Sequence, residues 1–231
     1  MAVDAARLAL RGTAGIAPSL WFTTTTPAYL DKTNASAIHA ALQLDRNSPA
    51  YDVVGAVRSW AGAVRAGYGG AEPALVVASD VRTGLPGGSD ESAGGDAAAA
   101  LLLGADDAAP VLAEVVAQIA LTEEFLDRWR LPAAEVSRTW EERFGEGRYA
   151  PLGAEVLKSA LAHAGIDLDA VDHLIVAGLH ERAVAVVQRS AGVAAERIVD
   201  RLTGTVGNPG SAQAALLLAA TLELAAPGQT I

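Results

Sequence analysis

The fold is decided by a stretch that reads Tyr51-Asp-Val-Val-Gly-Ala-Val-Arg-Ser-Trp-Ala-Gly-Ala-Val-Arg-Ala-Gly67. Its beginning, Tyr51 to Ala56, predicts a buried strand, and the Ala-rich continuation from Arg58 to Gly67 predicts a helix. A second apolar run, Ala74-Leu-Val-Val-Ala-Ser79, follows at once and predicts another strand. This succession of strand, helix and strand indicates an α/β protein with a largely parallel, helix-covered sheet.

The pattern extends on both sides of this stretch. Upstream, the spacing of apolar residues predicts helices over Val3 to Leu10 and Leu30 to Leu44, and Thr23-Thr-Thr-Thr-Pro27 is expected to break regular structure. Downstream, the Gly- and Ser-rich residues Thr83 to Gly95 predict an exposed loop, and Asp96 to Gly104 predict a third buried strand.

The remainder divides the chain into three parts of one compact unit. Residues 104–150 carry many charges and large aromatic side chains and are interpreted as a linking or insertion segment between residues 1–103 and 151–231. Strands and helices alternate again in the last part. The predicted elements there are helices from Ala154 to Ala164, Arg182 to Ala191 and Ser211 to Ala225, and a strand from His173 to Ala177. Two similar halves are therefore expected.

Composition excludes several classes of function. The 231 residues include 17 Lys and Arg against 27 Asp and Glu, a net charge of −10, so a basic face for nucleic acid or an anionic membrane is not expected. The chain has no cysteine, which excludes a disulfide scaffold, a thiolate zinc site and a cysteine nucleophile. Metal-ligand spacing is absent among the histidines. Because no signal sequence or membrane-length apolar run is evident, we expect a soluble, cytoplasmic protein.

Three blocks of the first part resemble condensing enzymes of the thiolase superfamily. They are the opening stretch, Leu75 to Asp80 and Gly95 to Ala100. Two blocks of the last part, Val171 to Val176 and Gly207-Asn-Pro-Gly-Ser-Ala212, resemble the same family in the same order. The resemblance implies a thiolase-like layered fold of two similar strand-helix halves.

The branch of the superfamily is indicated by the middle segment. Order and spacing of the blocks resemble ketoacyl-ACP synthase III and hydroxymethylglutaryl-CoA synthase, and Phe125 to Arg130 with Trp140 to Phe144 resemble the second more specifically. Members of this superfamily are longer, so the chain is expected to be shortened at both ends. It would then be a short paralogue, one piece of a split subunit or a fragment.

The resemblance implies a nucleophilic cysteine at the elbow between strand and helix, where the helix N-terminus favours a thiolate. The alignment puts Val57 at that position, and valine cannot be acylated. Ser59 is either a substitute nucleophile or a structural residue at the start of the helix. Arg58 is either a partner for a carboxylate or CoA phosphate, or a solvated side chain.

Other catalytic positions of the family are also altered. The glutamate base of hydroxymethylglutaryl-CoA synthases would fall within Thr23 to Thr26, and the catalytic histidine near Ala177. His180, three residues on, is either a shifted acid-base residue or a polar residue at the head of a helix. Asn208 keeps the residue type that supports an oxyanion, with the backbone near Gly207, although Asn-Pro also simply forms turns.

Three functions remain open. The first is a Cys-less subunit acting on a coenzyme A thioester, with Asn208 and His180 as catalytic residues and Val57, Arg58, Ser59 and Gly207 lining the substrate site. It would perform or support aldol or retro-aldol chemistry without a covalent cofactor. The second is a catalytically silent subunit of a complex with a zinc-ribbon and OB-fold protein or a synthase, and the third is an acyl-CoA-binding module.

Two structural expectations follow. The helix after Val57 and the helix from Ser211 should both be buried, because their alanines allow close packing. A homodimer or hetero-oligomer is expected, with Leu75 to Ser79 as a candidate edge strand that would otherwise remain unpaired.

Overall fold

The computed structural model describes residues 1–13, 15–104 and 110–231. Residues 105–109, at the start of the segment interpreted as a link, lie outside that description. The helices are α1 (Ala2–Ala9), α2 (Ala35–Leu42), α3 (Ser59–Tyr68), α4 (Ser89–Ala93), α5 (Glu142–Ala164), α6 (Glu181–Ser190) and α7 (Gln213–Leu222). The strands are β1 (Ser19–Thr24), β2 (Ala50–Val54), β3 (Ala74–Asp80), β4 (Ala97–Leu103), β5 (Arg128–Trp129) and β6 (Arg138–Thr139).

A four-stranded sheet of order β2-β1-β3-β4 forms the first part of the chain. β2 and β3 both run parallel to β1, and β4 runs antiparallel to β3. The mixed α/β class and the parallel centre of the sheet agree with the sequence prediction.

The central strand β1 was not predicted, because the run of threonines was interpreted as a break. Thr23 and Thr24 instead end this strand and are almost completely buried. Threonine is β-branched, so it fits a strand well, and only its hydroxyl makes the run look like a loop.

The expectation that Leu75 to Ser79 form an edge is wrong. β3 lies between β1 and β4, and β2 and β4 are the outer strands. β2 is also less buried than predicted, since Tyr51 is 45% and Val54 41% exposed. The difference has a simple cause: among the residues described, β2 pairs only with β1.

Helices cover both faces of the sheet. α1 and α2 pack on one face, where Ala6 and Ile38 meet Leu20, Phe22 and Leu75 in the hydrophobic core. α3 packs on the other face. A Cβ on Gly67 would lie 2.8 Å from the Cβ of Ala74, so the absence of a side chain lets this helix approach β3 closely.

The burial of the two Ala-rich helices differs. α7 has no exposed residue, as predicted. The prediction for α3 is wrong, because Ala61 and Ala66 are exposed and only Ala63 and Gly67 are buried. α3 faces the sheet with one side only.

The last part of the chain contains little regular sheet among its described residues. The strand predicted from His173 to Ala177 is reduced to one parallel bridge between Leu174 and Ile198. On the other side, the Thr230 carbonyl accepts hydrogen bonds from the backbone N–H groups of Asp172 and His173. Single backbone contacts therefore stand where the sequence predicted a strand.

Two further boundaries differ from the sequence prediction. α5 begins at Glu142, twelve residues before Ala154, and continues through Pro151, although proline removes one backbone donor. The loop predicted from Thr83 to Gly95 contains the short helix α4.

Candidate functional site

The carboxyl edge of the sheet gathers the polar residues of this fold. Because β1, β2 and β3 are parallel, the segments after Thr24, Val54 and Asp80 all emerge at one edge. The Gly55 N–H donates to the Thr24 carbonyl at 3.0 Å, which holds the elbow after β2 beside the threonines. Ligand sites of open α/β sheets lie at this edge.

Asp80 is the buried centre of the edge, with only 1% of its surface exposed. Its carboxylate accepts hydrogen bonds from Thr24 Oγ1 at 2.6 Å, and from Thr25 N at 2.6 Å and Oγ1 at 2.9 Å. From the last part of the chain, Ser211 N donates to it at 2.7 Å. Asp80 therefore ties the loop before α7 to the ends of β1 and β3.

Glycines allow that loop to approach the first part of the chain. A Cβ on Gly95 would collide with the Val206 carbonyl oxygen, and one on Gly207 with the Gly94 oxygen. Gly207 also has φ +81°, a conformation that favours glycine. Backbone bonds complete the junction: Asn208 N donates to Ala93 O at 2.8 Å.

Asn208 is 5% exposed and lies at the wall of a small pocket. Its Nδ2 donates to the Gly178 carbonyl at 2.8 Å, and its Oδ1 accepts from Gly210 N at 3.0 Å. The pocket has a volume of about 20 Å³, room for one or two water molecules. It is lined by Arg82, Asp90, Ala93, Gly94, Leu179, Glu181 and Asn208. The second Nδ2 hydrogen has no recorded acceptor among the described residues.

His180 lies next to this pocket, and its ring packs towards α5. Its Nδ1 accepts a hydrogen bond from Ala183 N at 3.1 Å, which caps α6. A neutral ring in this arrangement carries its proton on Nε2. A Cβ on Gly145 would lie 2.7 Å from that Nε2, and the ring of Tyr149 lies 6.0 Å away between centroids.

Asp127 and Tyr149 accompany His180 and were not singled out from the sequence. Burial, and then the charge and hydrogen bond of Asp127, raise the pKa of Tyr149 to about 12. Asp127 is 7% exposed, and its Oδ1 also faces the vacant side of Gly145. The sequence signal for Asp127 was an acidic residue within the block Phe125 to Arg130, which resembles the family.

Among the three elbow residues, only Arg58 hydrogen-bonds through its side chain to a distant segment of the described chain. Val57 is half-buried, and Ser59 Oγ accepts from Ala56 N at 3.4 Å. Arg58 Nη2 donates to Leu121 O at 2.8 Å and to Thr122 Oγ1 at 3.2 Å. Arg58 thus fastens residues 121–122 to the start of α3.

Three arginines meet beside the pocket, and sequence reasoning did not identify them as a group. Arg128 forms two hydrogen bonds with the Asp90 carboxylate, at 2.9 and 2.6 Å. Arg82 Nη1 donates to Thr25 Oγ1 at 3.0 Å, and Arg130 Nη2 donates to Thr25 O at 2.5 Å. The contacts join residues far apart in sequence, which explains why no local motif marks them.

The pKa values of Asp90 and Arg82 are both lower than their ordinary values, but for different reasons. Burial raises the pKa of Asp90, but the hydrogen bond and charge of Arg128 outweigh burial and hold that pKa below its ordinary value. Burial, and then the charge of Arg128, lower the pKa of Arg82. Arg82 is therefore a partly desolvated cation.

Two features are absent from the described residues. Within residues 1–13, 15–104 and 110–231, no three His, Cys, Asp or Glu side chains are grouped so as to hold a metal ion. In the same ranges, no helix is both long and apolar enough to cross a membrane.

The layered α/β fold, with its glycine-rich junction at the carboxyl edge, is that of a thiolase-like protein. Comparison with solved structures agrees. The chain superposes on 3-oxoacyl-[acyl-carrier-protein] synthase III from Aquifex aeolicus VF5 with a TM-score of 0.81 and 19% identity, covering 99% of this chain and 77% of that one. It superposes on hydroxymethylglutaryl-CoA synthase complexed with CoA with a TM-score of 0.76 and 16% identity, covering 96% and 61%.

The sequence comparison points to the same branch. Hydroxymethylglutaryl-CoA synthase of Pyrococcus furiosus is 26% identical over 239 aligned positions, which cover 99% of this chain and 68% of that protein. No family model matches the chain. The predicted resemblance to the hydroxymethylglutaryl-CoA synthase and ketoacyl synthase III branch is confirmed, and the chain is shorter than these solved relatives.

Proposed function

We propose that this chain acts on an acyl-CoA thioester at the carboxyl edge of its sheet, and that it performs or supports carbon–carbon bond formation or cleavage of the aldol or retro-aldol kind. The observation that carries the proposal is the placement of Asn208 in a pocket wall, held at both ends of its amide by backbone groups. The relatives named above include a hydroxymethylglutaryl-CoA synthase solved with CoA and a 3-oxoacyl-[acyl-carrier-protein] synthase III, which supports the substrate class.

The chemistry proposed needs no acyl-enzyme. In cleavage, a water molecule takes the proton of a β-hydroxyl, the bond between Cα and Cβ breaks to leave a carbonyl at Cβ, and its electron pair enters the thioester as an enolate that then takes a proton from water at Cα. Asn208 Nδ2, which has a hydrogen left over after bonding Gly178 O, stabilises the enolate oxygen. Val57 at the elbow contributes shape only, since its side chain has no nucleophilic atom.

His180 is assigned the polarisation of a substrate carbonyl in this proposal. With Nδ1 accepting from Ala183 N, the neutral ring carries its proton on Nε2, so it acts as a hydrogen-bond donor to a substrate oxygen and not as a base. Arg58, Ser59 and the backbone at Gly207 border the thioester. Arg58 is already bonded to residues 121–122, so its role is to hold that segment over the elbow.

A binding and turnover experiment with matched variants tests the role of Asn208. Asn208→Asp keeps the oxygen that accepts from Gly210 N and replaces the donor by a charged acceptor. We expect this variant to lose at least tenfold in turnover of a β-hydroxyacyl-CoA, since one oxyanion donor contributes about 10²–10³ in rate. Asn47→Asp, at an exposed turn, is the control. Equal turnover by both variants would remove Asn208 from the mechanism.

A second candidate is a silent subunit of a larger assembly, and the partly exposed outer strand β2 favours it. Tyr51 and Val54 expose apolar surface on a strand that pairs on one side only within the described chain. Such an edge is suited to association with another chain. Detectable acyl-CoA binding with no turnover, and a partner that co-purifies in fixed stoichiometry, would favour this candidate over the enzyme.

A further inference from the structure

Arg82 and Arg130 are held side by side without a bound carboxylate. Both use Thr25: Arg82 Nη1 donates to its hydroxyl, and Arg130 Nη2 donates to its carbonyl. Neither arginine forms an ion pair within the described residues, whereas neighbouring Arg128 is paired with Asp90 at 2.6 Å. Thr25 is uncharged, so it holds both cations in place without neutralising either of them.

The nearby acids are already bound. Asp80 receives its hydrogen bonds from the threonines and Ser211, and Asp90 is held by Arg128. Glu181, which also lines the pocket, pairs with Arg201. These carboxylates reduce the local charge without taking the free N–H groups of Arg82 and Arg130.

Arg82 has an unmet hydrogen-bond requirement. Its Nε is shut off from solvent and has no partner among the described residues. The side chain is packed, since a Cβ on Gly94 would lie 3.1 Å from its Cβ and one on Gly210 would lie 3.3 Å from its Cδ. A buried donor without an acceptor is costly, so a ligand that supplies one gains affinity.

We propose that Arg82 and Arg130 form an anion-binding site for a carboxylate carried on the acyl group of the substrate. The site lies at the pocket that Arg82 shares with Asn208, and a guanidinium matches the planar carboxylate with two parallel donors. The inference rests on the proposed function, because Asn208 marks where the thioester carbonyl lies. An anion beside that carbonyl therefore belongs to the acyl group, because the phosphates of CoA lie on the far side of the thioester sulfur.

The test is isothermal titration of the full chain with succinyl-CoA, butyryl-CoA and free CoA. The two thioesters have acyl chains of four carbons and differ in the terminal carboxylate. We expect wild type to bind succinyl-CoA at least tenfold more tightly than butyryl-CoA, the effect of roughly one charge-assisted hydrogen bond. Equal affinities would overturn the inference while leaving the proposed function intact.

Variants identify the residues responsible. Arg82→Gln and Arg130→Gln should each weaken binding of succinyl-CoA more than binding of butyryl-CoA, and so remove most of the preference for succinyl-CoA. Arg46→Gln is the control, because exposed Arg46 precedes β2 at the opposite edge of the sheet and should change nothing. Arg130→Lys, which keeps the charge at an exposed position, should retain part of the preference.

The remaining outcomes separate the two proposals. If both arginine variants weaken free CoA as much as succinyl-CoA, the anion is a CoA phosphate and the carboxylate assignment is wrong. If wild type binds none of the three ligands, the proposed function fails together with the inference. Retention of the full preference by both Gln variants would place the carboxylate elsewhere.

Discussion

Asp80 shows how one residue joins distant parts of this chain. A carboxylate that is 1% exposed would be strongly unfavourable alone, but it is surrounded by hydroxyl and backbone donors of β1 and of the loop before α7. The site depends on these hydrogen bonds to Asp80, because Thr25 also accepts hydrogen bonds from Arg82 and Arg130. Substitution of Asp80 should therefore affect both the stability of the fold and the binding of acyl-CoA.

Asp80→Asn should lower the free energy of unfolding by about 3 kcal/mol, since an amide nitrogen would face donors and the charge that strengthens the bonds would be lost. Urea denaturation followed by circular dichroism measures the change. Asp31→Asn, at an exposed position, is the matched control. An Asp80→Asn variant as stable as that control would show that the hydrogen bonds to Asp80 contribute little.

The pair of Asp90 and Arg128 gives a pH-dependent prediction. The pKa of Asp90 is lower in the folded chain than in the unfolded chain, so the pair stabilises the fold above the unfolded pKa of about 3.9. That contribution is lost as pH falls through the lower folded pKa. The stability difference between wild type and Arg128→Gln should therefore shrink between pH 6 and pH 3. A difference independent of pH would contradict the assigned pairing.

Among the secondary-structure elements, the sequence predicted those whose formation depends on the local pattern of apolar residues. The helices α1, α2, α3 and α6 and the strands β3 and β4 followed from apolar periodicity. The central strand β1 did not, because a threonine run looks polar and its burial depends on Asp80, more than fifty residues away. Strand order and the one-sided burial of α3 are likewise set by tertiary contacts.

α3 offers a direct test of its packing through two glycines on opposite sides. Gly67→Ala should destabilise the chain by about 1–3 kcal/mol, because the added Cβ would lie 2.8 Å from the Cβ of Ala74. Gly62→Ala meets nothing within 4 Å and should be neutral or stabilise by up to about 1 kcal/mol. Thermal melts of both variants provide the measurement, and a reversed order would mean that α3 presents its other side to the sheet.

At the scale of the whole molecule, the Asn208 loop was identifiable because the whole motif lies within a few residues. The arginine site was not, since Arg130 reaches Thr25 across 105 positions of sequence. The same limit explains the wrong choice of edge strand. Only the assembled sheet identifies β2 and β4 as outer strands.

Association with another chain remains a prediction, and the strand order moves the expected contact from Leu75–Ser79 to the outer strand β2. We expect a dimer or hetero-oligomer that Val54→Lys weakens, since a charged side chain on an edge strand opposes pairing with another chain. Leu8→Lys, at a 60% exposed position on α1, is the control for adding the same charge. Sedimentation velocity at micromolar concentration measures both, and a wild-type chain that is monomeric with no partner would contradict the prediction.

The absence of a covalent intermediate follows from the elbow. Incubated with acetyl-CoA, the chain should gain no acyl group, because Val57 has no nucleophilic atom and the hydrogen bond of Ser59 Oγ comes from Ala56 N in its own turn, not from a base. Intact-mass spectrometry measures the result. An acyl adduct mapped to any side chain from Ala56 to Trp60 would contradict the mechanism.

The most direct test of the central claim is photo-crosslinking with an acyl-CoA that carries a diazirine on its acyl chain, followed by peptide mass spectrometry. The account predicts labelling that an unlabelled acyl-CoA competes away, confined to residues 55–59, 82–95, 178–181 and 205–211 around the carboxyl edge of the sheet. Competed labelling at another surface, or labelling that no acyl-CoA competes away, would contradict an acyl-CoA site at this edge.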